Sequence, residues 1–220
     1  MNFLLLPTFL AATLDWYAVY KGWKKLEYFL KPITMVFLFG WLFTATGFAG
    51  ITLWFAVGLV LSLAGDIFLM LPNEQFIAGL VAFLLAHIAY VIGFNPSLPP
   101  VTVLSTVFVV IVALIGWQLY RNIAAGLAKQ GKTALQKPVL AYTVVISVMQ
   151  ISALMTLLRA DWSFNAALTV SVGAALFMLS DAILAWNKFV NPIKNGRVMN
   201  MAAYHLGQII LIVGVSMYMG

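Results

Sequence analysis

The stretch Gly58-Leu-Val-Leu-Ser62-Leu-Ala-Gly65-Asp66-Ile-Phe-Leu-Met-Leu-Pro72-Asn-Glu-Gln-Phe76-Ile-Ala-Gly79, continued by Phe83, His87, Tyr90 and Phe94, decides how this chain folds. Two apolar runs flank the short polar turn Pro72–Gln75, and each is long enough to cross a bilayer as a helix. The first carries a carboxylate, Asp66; the second carries an imidazole, His87. An ionisable group at membrane depth is costly, so each demands a partner or a task.

The rest of the chain has the same character. It is 64% hydrophobic and only 8% charged over 220 residues, with a mean hydropathy of +1.03. That leaves too little polar surface for a water-soluble domain and predicts an all-α, polytopic membrane protein. Eight apolar runs of bilayer length stand out, at 3–20, 32–48, 51–71, 76–94, 101–120, 138–158, 165–186 and 198–219. No polar stretch is long enough to fold outside the bilayer, so residues 1–220 read as one transmembrane domain. Pro32 and Pro138 are expected in the first turns of helices 2 and 6, where a missing N–H costs nothing, and Pro7 is expected to kink helix 1. The first run has no basic leader and no small-residue cleavage site, which predicts a retained helix. The absence of cysteine excludes disulfides and thiolate chemistry.

The net charge of +6 is not a nucleic-acid footprint, because the basic residues sit between apolar runs. Eleven of the twelve fall in alternate connections: Lys21, Lys24, Lys25 and Lys31; Arg121, Lys129, Lys132 and Lys137; Lys188, Lys194 and Arg197. Only Arg159 lies on the other side. The positive-inside rule then predicts cytoplasmic basic loops with both termini outside, as in a bacterial inner membrane.

A faint internal repeat is consistent with two parallel four-helix halves. Lys31-Pro32 matches Lys137-Pro138. Gly58 precedes Asp66 by eight residues, as Gly173 precedes Asp181. The fourth helix of each half carries histidine and tyrosine: His87 with Tyr90, then Tyr204 with His205.

Asp15, Asp66 and Asp181 each lie about five residues before the inner end of their runs, a shared depth of roughly 7–8 Å at ~1.5 Å per residue. The expectation is that Asp66 and Asp181 line one cavity open to the inner leaflet. Ser62 sits one turn from Asp66. Thr169, Gly173, Phe177 and Asp181 share a helical face, as do Asn200, Tyr204 and Gln208. Phe76, Gly79, Phe83, His87, Tyr90 and Phe94 form a continuous stripe. Plainer roles stand beside these: Asp66 and Asp181 bonded to a serine, tyrosine or buried lysine; Asp15 as a snorkelling partner of nearby lysines; His87 and His205 as packing residues. Two carboxylates sharing a low-dielectric site hold one proton between them, an acid beside a base. That suits hydrolysis through an oxocarbenium-like state and proton-coupled transport alike.

The set resembles the YhhN-like lysoplasmalogenase family, multispanning alkenyl-lysophospholipid hydrolases. The resemblance rests on Lys31-Pro32; Gly65-Asp66 with Leu69; Phe76, Gly79, Phe83, His87 and Tyr90; Tyr142 and Met149; Gly173, Leu176, Phe177, Ser180-Asp181 and Leu184-Ala185; and Tyr204 with Gln208. His205 stands where the resemblance places a second tyrosine. It implies cleavage of a lysoplasmalogen vinyl ether to a fatty aldehyde and glycerophosphoethanolamine or glycerophosphocholine, with no metal or cofactor. Asp66 and Asp181 would be the catalytic acid–base pair. His87 and Tyr90 would position water or the glycerol hydroxyl, Lys31 and Lys137 would hold the phosphate, and Phe83 and Phe177 would line the alkenyl chain. Ser62, Tyr142, Tyr204 and Gln208 would complete the substrate site, and the lysophospholipid would come from the inner leaflet. Competing expectations are a proton-coupled transporter using Asp66 and Asp181, a metal site built from Asp66, His87, Asp181 and His205, and a passive structural protein.

Overall fold

The structure, a computed structural model, describes residues 3–71 and 75–218. Eight α-helices occupy them: α1 (Leu5–Lys21), α2 (Lys24–Thr46), α3 (Thr52–Met70), α4 (Phe76–Phe94), α5 (Val103–Lys129), α6 (Gln136–Met155), α7 (Phe164–Phe189) and α8 (Gly196–Tyr218). Single 3-10 turns, Thr133–Leu135 and Thr156–Leu158, flank α6. Seven helices, α2 to α8, are long and apolar enough to cross a membrane, and α1 is the shortest at 17 residues. The chain is an integral membrane protein of all-α class.

Local chemistry sets the helix ends. Gly22 (φ 72°) and Gly47 (φ 60°) close α1 and α2 in the left-handed conformation that an L side chain resists. Thr102 and Ser105 form a reciprocal capping box at α5: Ser105 N donates to Thr102 Oγ1 at 3.1 Å, and Thr102 N donates to Ser105 Oγ at 2.8 Å. α4 stops at Phe94 because Asn95 precedes Pro96 and is pushed out of the helical region, to φ −120° and ψ 58°.

Two boundaries differ most from expectation. α2 begins at Lys24, so Pro32 lies inside the helix and Lys31-Pro32 does not open it. The segment 24–31 is too charged to register as apolar, yet Lys, Leu and Glu are good helix formers. α5 runs on to Lys129 because Ile123 and Leu127 bury one face of the added turns against Val139 and Phe189. Lys24, Lys25, Lys31, Arg121, Lys129, Lys188 and Arg197 therefore lie within helices rather than loops, toward the same end of the bundle. Pro7 sits in the first turn of α1. The expected turn at Pro72–Gln75 lies outside the described residues except for Gln75.

The packing follows the repeat. α1 lies on α2 as α5 lies on α6, α3 on α4 as α7 on α8, and α2 on α3 as α6 on α7. α4 reaches α6 as α8 reaches α2. Apolar lipid offers helices little hydrophobic reason to associate, so close contact depends on small residues at the seams. A Cβ on Gly173 would stand 2.3 Å from the backbone nitrogen of Leu211, so α7 and α8 meet backbone to backbone there. Between α3 and α4 the glycines receive rings instead: Gly58 takes Tyr90, and Gly65 takes Phe83.

Candidate active site

The predicted stripe on α4 is that helix's buried face, with Gly79, Phe83, His87, Tyr90 and Phe94 all inside. The face of α8 carrying Asn200, Tyr204 and Gln208 is buried as well, and each side chain bonds to another helix. Between these faces the structure builds two polar centres, each around one aspartate.

The first centre is Asp66, fully buried on α3. Lys31 of α2 places Nζ 2.9 Å from its Oδ1, and Tyr204 of α8 donates its hydroxyl to Oδ2 at 2.7 Å. One turn along, Gln208 Nε2 donates to Ser62 Oγ at 3.0 Å while Tyr90 donates to Gln208 Oε1 at 2.8 Å. Asp66 is thus an ion-paired carboxylate, and Ser62, Tyr90 and Gln208 extend its network instead of lining open space.

The second centre is Asp181 on α7. Tyr142 of α6 donates its hydroxyl to Asp181 Oδ2. His87 Nε2 lies 3.2 Å from the same oxygen and 2.9 Å from the tyrosine oxygen. The imidazole is fully buried, whereas the Asp181 side chain retains 13% of its exposure. No lysine or arginine pairs with this carboxylate among the described residues.

An aromatic wall separates the centres. Phe177 packs against His87 at 4.7 Å between ring centroids and against Tyr204 at 5.5 Å. Phe83 meets both Phe177, at 6.2 Å, and Tyr204, at 5.9 Å.

The open space is divided in the same way. A narrow apolar cleft of about 70 Å³ is bounded by Asp181, Tyr142, Phe83, Phe76, Leu119 and Ile123. A wider vestibule of about 620 Å³ lies at the basic end, bounded by Lys24, Glu27, Lys31, Arg197 and Asn200 among others. Leu69 and Leu184 belong to both walls, so the two spaces adjoin. Asp66 and Phe177 border neither of them, and Lys137, exposed on the first turn of α6, lines neither.

Other candidates settle into structural places. Asp15 does not snorkel: it is fully buried, and neither carboxylate oxygen has a hydrogen-bond partner among the described residues. His205 Nδ1 accepts from Trp16 Nε1 at 3.1 Å. Asp66, His87, Asp181 and His205 do not converge, and no group of three potential metal ligands exists among the described residues. Glu27 and Arg197, paired at 2.7 and 2.9 Å, escaped the sequence reading. The available signal was the i, i+4 spacing of Glu27 and Lys31, hidden by the assumption that residue 27 lay in a loop.

Comparison with known proteins identifies the family. Residues 26–215 match the YhhN family. The chain is 31% identical to lysoplasmalogenase TMEM86B of Mus musculus over 185 residues, 83% of this chain and 71% of the relative. Its identity to lysoplasmalogenase TMEM86B of Homo sapiens is 27% over 184 residues, 83% of this chain and 72% of that one. It is also 30% identical over 146 residues to a lysoplasmalogenase of Mycobacterium bovis, covering 62% of this chain and 50% of the relative. No solved structure gives a significant match. With the family match spanning α2 to α8 and both polar centres inside it, this chain belongs to the YhhN family.

Proposed function

We propose that this protein is a membrane lysoplasmalogen hydrolase in which Asp181 delivers and recovers the catalytic proton. The relatives' names support the reaction class. The observation that carries the assignment is the position of Asp181, held by Tyr142 and His87 on the wall of an apolar cleft that adjoins a cationic vestibule. A single-chain ether lipid has the same division, an apolar tail on a phosphate head. At ~30 Å³ per water, the cleft holds the reacting vinyl ether or a small water cluster.

The chemistry follows from the partners. Protonated Asp181 gives its proton to the vinyl carbon distal to the ether oxygen, leaving an oxocarbenium ion across the neighbouring carbon and that oxygen. The resulting carboxylate, fixed by the Tyr142 hydroxyl, stabilises that cation and takes a proton from attacking water. The hemiacetal then breaks its bond to the glycerol oxygen, which takes up the proton the hemiacetal hydroxyl gives up, and the fatty aldehyde leaves. One water is consumed and Asp181 ends as it began. His87, bonded to both Asp181 and Tyr142, passes protons within the cluster.

Asp66 has a different role. It acts from behind, fixing Lys31 at the vestibule wall and Tyr204 in the aromatic layer. Lys31 then meets the phosphate without Lys137. The basic end faces the cytoplasm, and substrate enters from the inner leaflet of the cytoplasmic membrane.

The test is aldehyde release from lysoplasmalogens by the purified chain in lipid vesicles, followed by mass spectrometry. Asp181→Asn lowers the rate by about 10²–10⁴-fold, the usual contribution of a general acid–base group. Near-normal turnover by that variant rejects the assignment. Flux of an unaltered solute across sealed vesicles, with no aldehyde formed, rejects hydrolysis in favour of transport.

A further inference from the structure

We infer that Glu27 reads the lipid headgroup and selects one that ends in a primary ammonium, while Arg197 takes its phosphate. The inference rests on the hydrolase reading and concerns the vestibule, not the cleft. A pocket meant for phosphate alone needs only cations, and Lys24, Lys31 and Arg197 supply them. Glu27 is a carboxylate set among them. Its residue is 5% exposed, and it accepts two hydrogen bonds from Arg197 Nη2, at 2.7 and 2.9 Å. The arginine side chain is 62% exposed, so its charge stands at the mouth while the carboxylate lies beneath it.

Burying a carboxylate costs several kcal/mol unless it is paired. Arg197 provides that pairing while the vestibule is empty. A zwitterionic headgroup exchanges one ion pair for two: its phosphate takes Arg197 and its ammonium takes Glu27. A headgroup without a cation would draw Arg197 away and strand Glu27, which disfavours it.

The wall also distinguishes kinds of ammonium. A primary ammonium carries three N–H donors and seeks oxygen acceptors. Glu27 supplies two oxygens. Asn200 commits its amide nitrogen to Ser180, at 2.7 and 3.0 Å, so what it offers a ligand is its carbonyl oxygen. A quaternary ammonium has no N–H and is held by aromatic faces. Tyr28 is the one aromatic side chain among the described residues of this wall, too few for a cage.

The experiment measures kcat/KM for aldehyde release from two lipids differing only in headgroup, alkenyl-glycerophosphoethanolamine and alkenyl-glycerophosphocholine, with the full chain in vesicles. The wild-type protein prefers the ethanolamine lipid by about tenfold or more, and Glu27→Gln brings that ratio toward one. Glu27→Asp keeps the preference. Arg197→Gln lowers both rates but leaves the ratio, because Glu27 is still present. Should Glu27→Gln fail to fold, the other two variants decide. A wild-type ratio near one, a ratio untouched by Glu27→Gln, or a ratio lost in Arg197→Gln overturns the inference and leaves the hydrolase reading standing. No aldehyde from either lipid overturns the hydrolase reading itself.

Discussion

Lys31 and Asp66 are the pair whose removal tells most about how this bundle is held together. Both are buried, with side chains 5% and 1% exposed, and Nζ stands 2.9 Å from Oδ1. Replacing Asp66 with asparagine keeps the volume and the Tyr204 contact but leaves an ammonium without its counter-ion. Breaking one side of a buried ion pair typically costs ~3–5 kcal/mol, whereas replacing both partners by neutral groups is often close to neutral. Asp66→Asn is therefore expected to destabilise by about 3–5 kcal/mol, and Lys31→Met/Asp66→Asn to recover most of it. At ~2–4 °C per kcal/mol for a chain of this size, the single variant melts about 6–20 °C lower. The assay is thermal unfolding of detergent-solubilised protein, read as loss of the monodisperse peak, across wild type, both single variants and the double. A double variant as unstable as Asp66→Asn alone refutes the reasoning, as does an Asp66→Asn protein that melts with the wild type. A folded double variant also separates structure from chemistry: if it releases no aldehyde, the pair contributes to turnover beyond stability.

Three further predictions follow from the geometry. Tyr142→Phe removes the donor to Asp181 Oδ2 and leaves the carboxylate held by His87 alone, so turnover falls by about 10–100-fold while the melting temperature changes little; unchanged kcat refutes a positioning role for Tyr142. Gly173→Ala places a methyl 2.3 Å from the Leu211 backbone nitrogen, which only separation of α7 and α8 relieves, and should cost about 1–3 kcal/mol. Gly50→Ala, where a Cβ meets nothing within 4 Å but φ is +54°, tests backbone strain without a clash and should cost less.

Much of the fold was legible in the sequence because a bilayer imposes length and composition together. Helix α4 was read as 76–94 and found there, since Gln75 and Asn95-Pro96 bracket an uninterrupted apolar run. α2 was misread at its start because hydropathy registers the core of the bilayer, and 24–31 is helix lying among charges. The site was legible only in part. Spacing put His87 and Tyr90 on one face and Tyr204 and Gln208 on another. It could not say that Tyr204 would find Asp66 across 138 residues, or His87 find Asp181 across 94. It allowed Asp66 a buried lysine but could not name Lys31, since a lysine near a bilayer boundary reads first as a topology signal.

The two centres share a plan and differ in one partner. Each aspartate takes a side chain from the preceding helix of its own half and another from the last helix of the opposite half: Lys31 and Tyr204 for Asp66, Tyr142 and His87 for Asp181. The halves are therefore pinned to each other through their acidic residues, so neither centre can form unless both halves are docked. The preceding helix supplies an ammonium in one half and a phenol in the other. Asp66 thus faces a full positive charge, and moving a proton to it would leave Lys31 buried without a counter-ion. Asp181 faces a hydroxyl and an imidazole instead, neither of which carries an obligate charge. A duplicated layout gives the bundle one centre closed by an ion pair and one built on a hydroxyl and an imidazole, and the apolar cleft opens at the second.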